Sequence, residues 1–361
     1  MENKYKFEDI FYPVAVAIND AKDSPYDKFV GLEHYDTLEP IISRYTDTSL
    51  LSSSVKEFHA GDMLVARRNV YLRRAGLTLF DGLTSGDSIV LRIKDKDCLP
   101  DGLERDTLSR IMPFVLNSDN FWIYANKHAD GMNSKRISIE NLLNYEFTLS
   151  SLDEQKELAG KLWAAYEVKQ SYLKMIDATE EMVKSQFIEM FKEDNMIPLG
   201  QFCIIEKGTT ITREQVCPGN IPVVAGGKEP SCYHNNSNRD AGAITVSASG
   251  AYAGYVNYWD MPIFASDCNT IKPKQNYDVD VTFLYSGLKA MQNEIYDLQK
   301  GGAQPHVYGK DLEKVLFPLP IHEKQLNFSA IAKHADKSEF ELRKSIDAID
   351  KVIKSLINEN L

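Results

Sequence analysis

The sequence predicts an α+β fold built twice, each copy a β-rich globular unit followed by one long helix, and three observations carry that prediction. The first is an internal repeat. Sliding the chain against itself by 170 positions sets Gly301 on Gly131, Leu312 on Leu142, Phe317 on Phe147, Leu319 on Leu149, Glu323 on Asp153 and Gln325 on Gln155. Upstream the offset becomes 180 to 181, and "GDMLVARRNVYLRRAGLTLFDGLTSGD" from Gly61 parallels "GAITVSASGAYAGYVNYWDMPIFASD" from Gly242, with Tyr71 on Tyr252. The second is a set of short apolar runs bounded by turn residues. The third is a pair of long proline-free stretches, one after each copy.

A chain of 361 residues is long for one core and predicts about two domains of roughly 150 residues each. No run of about 18 apolar residues is present, so no membrane span is expected. The first twenty residues lack the basic, apolar and small-residue order of a signal peptide, so a cytoplasmic protein is expected. Five cysteines with no C-x-x-C pair read as reduced, mostly packed thiols. Cys217, Cys232 and His234 match no common zinc spacing, and no metal is expected. The net charge is −11, and residues 1–150, 151–194, 195–320 and 321–361 each hold at least as many acids as bases. Any contact with a polyanion must therefore rest on local patches.

The strands are "DMLVA", "SIVLRI", "IPVVA", "AITVSAS" and "GYVNYW", rich in β-branched and aromatic residues and closed by Gly, Asp or Pro. Two helical stretches, "TLSRIMPFVLNSDNFWIYANK" and "VTFLYSGLKAMQNEIYDL", accompany them and make each unit α+β. The long helices are expected from Gln155 to about Lys192 and from Glu323 to Leu361. In the second, Phe328, Ile331, Ala335, Ser338, Leu342, Ser345, Ile349, Val352 and Leu356 recur at steps of 3 and 4. The first gives a weaker stripe through Leu158, Leu162, Ala165, Lys169, Tyr172, Ile176, Thr179, Val183, Gln186 and Met190. A lone helix cannot bury such a stripe, so each needs the other or a helix of another subunit. Ser151 with Glu154 resembles a capping box; the repeated Gln155 and Gln325 either help cap the helices or carry a more specific role.

Two globular units closed by "GAQPHVYGKDLEKVLFPLPIHEKQ" and "LSSLDEQ", each ahead of a long helix, resemble the specificity subunit of type I restriction-modification enzymes. The resemblance covers nearly the whole chain, through "YDKFVGLEHYDTLEP", "FHAGDMLVARRNVYLRRAG" and "FDGLTSGDSIVL" in the first half. In the second half it runs through "IPVVAGGKEPSCYHN", "ITVSASGAYAGYVNYW", "PIFASDCNTIKP" and "LQKGGAQPHVYGKDL". It implies two target recognition domains, residues 1–150 and 195–320, in a pseudo-two-fold repeat. Two antiparallel coiled-coil spacer helices, residues 151–194 and 321–361, would separate them. It further implies a non-catalytic DNA-binding subunit whose partners are double-stranded DNA, two methyltransferase subunits and restriction or translocase subunits. No cofactor is expected on the chain itself; S-adenosylmethionine and ATP would bind the partners. The chain has no N-P-P-Y type tetrapeptide for base methylation and no G-x-x-x-x-G-K-[ST] for nucleotide hydrolysis. Two alternatives stand beside this: the specificity component of a related system whose partner fuses methylase and nuclease, and a small-molecule enzyme whose helices merely dimerise it.

Bases are read by side chains at their edges, while phosphate contacts set the register. "RRNVYLRR" offers Arg67, Arg68, Arg73 and Arg74 with Asn69 and Tyr71, against the alternative of a solvated face. "NSKR" (Asn133, Ser134, Lys135, Arg136) falls in the repeat slot that "AQPH" fills with Gln304 and His306, as two units reading different half-sites would require. Gly131, Gly301 and Gly302 would let backbone approach a duplex, or simply turn the chain. The second unit adds Lys207, Thr209, Thr210, Lys228, Ser249 and Tyr252, any of which could be ordinary strand-edge bulk. Asp87 and Asp267 are expected to be turn acids accepting backbone N–H groups. About 38 helical residues rise roughly 57 Å against a DNA turn of roughly 34 Å, which predicts a bipartite target with an unread gap. Local cations on an acidic body predict a shallow salt dependence for the chain alone.

Overall fold

Runs of Val, Ile, Leu and Phe closed by turn residues pair into strands because the pleat buries β-branched side chains on a shared face. A computed structural model describes residues 3–19, 21, 24–48, 54–132, 134–302 and 304–361. The chain divides into two compact units, Met1–Ser171 with Ser345–Leu361, and Tyr172–Lys344.

In the first unit one sheet runs in the order Phe11–Val14, Ser88–Ile93, Met63–Ala66, Ala75–Thr78, Ile41–Ile42. Its register sets Leu91 opposite Met63 and Ile93 opposite Phe11. All four residues of Met63–Ala66 are buried, which is why this strand reads as a continuous apolar run and not an alternating one. A second sheet runs Ala17–Ile18, Val55–Phe58, Gly82–Ser85, Lys28–Val30, Thr46–Asp47. The helices Arg105–Val115 and Asp119–Lys127 cover the first sheet with a core in which Phe7 meets Phe11, Phe121, Tyr145 and Phe147 at 5.0–5.6 Å between ring centroids. Asp62, 1% exposed, takes a two-pronged fork from Arg92 Nε and Nη2 at 2.6 and 2.7 Å.

The second unit reuses the plan with fewer strands. Its main sheet, Cys203–Lys207, Cys268–Pro273, Ala243–Ser247, Val256–Trp259, matches the first four strands of its counterpart in order and antiparallel pairing. Gly82–Ser85 lies parallel to Lys28–Val30, and Phe264–Ala265 lies parallel to Ile221–Val224. Each unit is closed by a short antiparallel pair, Asn3–Lys6 with Glu146–Leu149 and Met196–Pro198 with Leu316–Pro318. The repeat read from the sequence is thus a repeat of topology.

The long helices span Leu152–Phe191 and His322–Asn360. Their buried seam departs from the stripe read in sequence. In the second unit Phe187 and Phe191 are buried instead of Gln186 and Met190, because five rings (Phe187, Phe191, Phe283, Phe317 and Phe328) converge at 5.1–6.2 Å. Gly287 sits under that cluster, where a Cβ would lie 2.5 Å from Phe317 and 2.6 Å from Phe187. Within this unit Asp194 pairs with Lys324 and Phe191 with Phe328, so the two helix segments run antiparallel. Within the first unit Leu158, Leu162 and Tyr166 share a core with Ile353, Leu356 and Ile357, and Lys169 bridges Glu39 and Asp350 at 2.6 and 2.9 Å. On the second helix Ile346 and Ile357 are buried, whereas Ser338 is exposed and Val352 is 53% exposed. No helix among the described residues is long and apolar enough to cross a membrane.

The two repeated glutamines have a shared structural use. Gln155 Nε2 donates to Ser150 O at 2.9 Å, and Gln325 Nε2 donates to Pro320 O at 2.9 Å, each five residues back along the chain. Both are nearly fully buried, so each braces the entry of the chain into its helix. Glu154 reaches back to the Ser151 N–H at 2.9 Å and also takes the Ser151 hydroxyl at 2.7 Å, which is half of the expected capping box.

Candidate nucleic-acid interface

Both units build the same backbone frame at the end of the buried strand. In the first, the Arg67 N–H donates to Asp87 O, the Asn69 N–H to Lys135 O and the Ile137 N–H to Arg67 O, at 2.9, 2.7 and 3.0 Å. In the second, the Ala248 N–H donates to Asp267 O, the Gly250 N–H to Pro305 O and the Val307 N–H to Ala248 O, at 3.1, 3.0 and 3.0 Å. Between these bonds Arg68 lies antiparallel across from Arg136, and Ser249 across from His306. The loop that follows turns at two left-handed residues, Asn69 and Arg73 (φ 55° and 51°) in one copy and Gly250 and Gly254 (φ 84° and 92°) in the other. An arginine there costs about 1–2 kcal/mol and an asparagine less, so the first unit holds its loop against strain, chiefly at Arg73, that the second avoids.

On the frame of the first unit the predicted cations divide into two groups. Arg68 Nε donates to Ser134 Oγ at 2.9 Å, and its Nη1 lies 3.8 Å from the Asp87 carboxylate. Arg136 Nη2 lies 3.3 Å from the same carboxylate. Arg68, Arg136 and Tyr71 stay about half exposed, and Lys135 is exposed beside them. Arg73 and Arg74 instead turn inward. Arg73 Nη1 donates to Asp119 at 2.7 Å, and Arg74 Nη1 donates to Leu32 O at 2.8 Å. Lys354 and Arg73 together hold the Asp119 carboxyl below the usual aspartate value, and burial pushes the Arg74 guanidinium below that of a free arginine. Arg67 Nε, Asn69 Oδ1 and Arg74 Nε are buried with no hydrogen-bond partner among the described residues. Asn133 lies outside the described residues.

In the second unit Lys228 stands 5.2 Å from the Tyr252 ring centre and 5.0 Å from that of Tyr255, a cation held between two aromatic rings. Tyr252 is 46% exposed. The Ser249 hydroxyl donates to the Asp267 carboxylate, and His306 stacks towards Tyr308 at 6.1 Å. Gln304 is exposed on the hairpin beside His306. Lys207, Thr209 and Thr210 leave the end of the strand Cys203–Lys207, where the Thr209 N–H donates to Ala265 O at 2.9 Å. That contact puts them next to the turn carrying Asp267. Gly131 and Gly301 serve their own turns: a Cβ would meet Ser134 O at 2.9 Å in one and Gln304 O at 3.0 Å in the other.

The expected role of Asp87 and Asp267 is corrected by this geometry. Their main-chain carbonyls take the backbone N–H groups, while their carboxylates take side-chain donors, two guanidinium groups in one unit and a hydroxyl in the other. Sequence reasoning also passed over Lys56, whose Nζ donates to Gly86 O at 3.1 Å and Ser88 O at 2.7 Å and so grips the turn on both sides of Asp87. Burial, then the charge of Arg67, lowers the Lys56 pKa. The His234 ring accepts the Cys217 N–H at 3.0 Å. Burial pushes the Cys203 and Cys268 thiols up to about 12, so both are packing residues and not nucleophiles.

The chain is similar to known proteins in part of its sequence and in its fold. Residues 192–349 match the family model of the type I restriction modification DNA specificity domain. A Mycoplasma pneumoniae protein assigned as a type I specificity subunit is 21% identical over 307 residues, covering 76% of this chain and 79% of that protein. A second, from Mycoplasma genitalium, is 23% identical over 213 residues, 58% of this chain and 54% of that protein. The crystal structure of a type I restriction-modification S subunit from M. genitalium shares the fold with a TM-score of 0.56 at 14% identity, covering 99% of this chain and 95% of that chain. Residues 192–349 thus match the type I restriction modification DNA specificity domain, and the chain as a whole is similar in sequence and fold to type I specificity subunits.

Proposed function

We propose that the chain binds double-stranded DNA and reads a bipartite target, one block per unit, and so directs methyltransferase and restriction subunits to that sequence. One observation carries this reading. The same backbone frame is built twice, and the side chains it presents differ: Arg68 with Arg136 in one copy, Ser249 with His306 in the other. A shared frame with divergent polar side chains suits two readers of unlike sequences. In this reading residues 1–150 and 195–320 are the target recognition domains. The outward-facing residues Arg68, Tyr71, Ser134, Lys135 and Arg136 meet the first block, with Asn133. Lys207, Thr209, Thr210, Lys228, Ser249, Tyr252, Gln304 and His306 meet the second. Arg67, Asn69, Arg73 and Arg74 support the first set from behind. Helices of 40 and 39 residues, about 60 Å at 1.5 Å per residue, serve as the spacer. The chain supplies the address; methyl transfer from S-adenosylmethionine and ATP-driven steps belong to two modification subunits and to the restriction subunits.

The reading is tested by selecting from a pool of random duplexes with the full chain and its copurifying subunits, then sequencing what binds. Two short enriched blocks separated by a gap of fixed length and random sequence are expected. A single contiguous block, or no enrichment, would contradict it.

A further inference from the structure

The turn carrying Asp87 is held more firmly than a surface turn needs. Its N–H donates to Ser85 Oγ at 3.2 Å, its carbonyl takes the Arg67 N–H at 2.9 Å, and Lys56 Nζ caps the carbonyls on either side at 3.1 and 2.7 Å. The backbone of Asp87 is thereby fixed in place, and its carboxylate moves only through two side-chain torsions. It faces the guanidinium groups of Arg68 and Arg136, which reach it from two chain segments 68 residues apart in sequence. Ser134 Oγ holds Arg68 Nε from the other side. Each guanidinium has five N–H donors in a planar fork, so one or two bonds to Asp87 and Ser134 leave the rest free.

We infer that Asp87 is a positioning residue that aims Arg68 and Arg136 as a guanine-reading pair for the first half-site. This rests on the proposed reading of DNA. An arginine on its own samples many rotamers, and on approach to a duplex it is drawn to phosphate as readily as to a base. A carboxylate beside the guanidinium restricts those rotamers, and its negative charge disfavours the phosphate. The fork is then left to the one partner that matches it in the major groove, the O6 and N7 acceptors of guanine. The repeat bears on the same point. Asp267, equivalent to Asp87, holds the hydroxyl of Ser249, equivalent to Arg68. The acid is the common bracket, and the side chain it aims decides what each unit reads.

The inference predicts an effect opposite in sign to that of an ordinary structural acid. Asp87→Asn removes one negative charge close to the duplex and releases both arginines. Affinity for random duplex should rise a few-fold, and the slope of log affinity against log salt should steepen by about one. Discrimination for guanine in the first block should fall by about ten-fold or more, while the second block keeps its sequence. Arg68→Lys retains the charge but lacks the fork. It should lower guanine discrimination without changing affinity for random duplex, and it tests the inference even if Asp87→Asn fails to fold. Each variant is measured as the full chain with its copurifying subunits, by duplex selection and by titration over a range of salt, with thermal melting as a check on folding. Equal loss in both blocks, or lower affinity for random duplex with discrimination unchanged, would overturn the positioning role. An Arg68→Lys variant that reads the first block as the parent does would overturn it as well. If the parent chain selects no sequence, the DNA reading itself fails, which is a separate result.

Discussion

Phe328→Ala is expected to lower the stability of the second unit by about 3–5 kcal/mol, the usual cost of emptying a large aromatic site that cannot collapse. Phe328 is fully buried and its ring stands 5.3 Å from Phe187, 5.6 Å from Phe191 and 6.2 Å from Phe283. The neighbours are themselves locked: Gly287 leaves no slack below Phe187 and Phe317, so they cannot slide into the space. Denaturant unfolding of the full chain should show the transition of this unit at lower denaturant, with Phe328→Leu falling between parent and alanine. A loss below about 1 kcal/mol would mean that the ring cluster is not what seats the second long helix on its unit.

Arg68→Ala with Arg136→Ala should remove about 30-fold to 20,000-fold of the affinity for a specific duplex, since each well-placed fork contributes about 1–3 kcal/mol and the pair about 2–6 kcal/mol. The loss should fall on one block of the target only. Arg73→Ala and Arg74→Ala make the useful contrast, because their donors end on Asp119 and on the main-chain carbonyls of Leu32 and Arg68 inside the unit. Those two substitutions should cost stability, with the sequence preference of the remaining folded protein unchanged. Titration of each variant against its selected duplex separates the groups. Equal effects on binding from both pairs would show that the division into outward and inward arginines is wrong.

The repeat was legible in the sequence because topology preserved apolar and turn residues at fixed offsets: Phe147 and Phe317 are both buried in the closing strands, and Gly131 and Gly301 both turn their hairpins. The helices were legible from their lack of proline, but not the seam. Steps of 3 and 4 leave several alignments open over 40 residues, and the choice of Phe187 over Gln186 is made by rings that the helix meets only in the folded unit. The arginine cluster was visible as composition, yet which members face outward depends on two left-handed residues, Asn69, a type that tolerates that backbone, and Arg73, whose side chain gives no signal for it. The matching glycines, Gly250 and Gly254, carried that signal in the other copy. Asp87 and Asp267 stood at equivalent positions from the outset. Nothing in the sequence says whether such an acid will take backbone or side-chain donors, because this depends on what the opposite strand presents.

If the long helices space two readers, as proposed, lengthening them should lengthen the unread gap. Seven residues inserted after Ser171 and seven after Lys344, where the two units divide, keep the apolar stripe in phase and add about 10 Å of helix. Duplex selection with the parent and the lengthened chain compares the unread gap. The same two blocks, separated by a gap about three base pairs longer at about 3.4 Å per base pair, are expected. An unchanged gap with both blocks still read would contradict it.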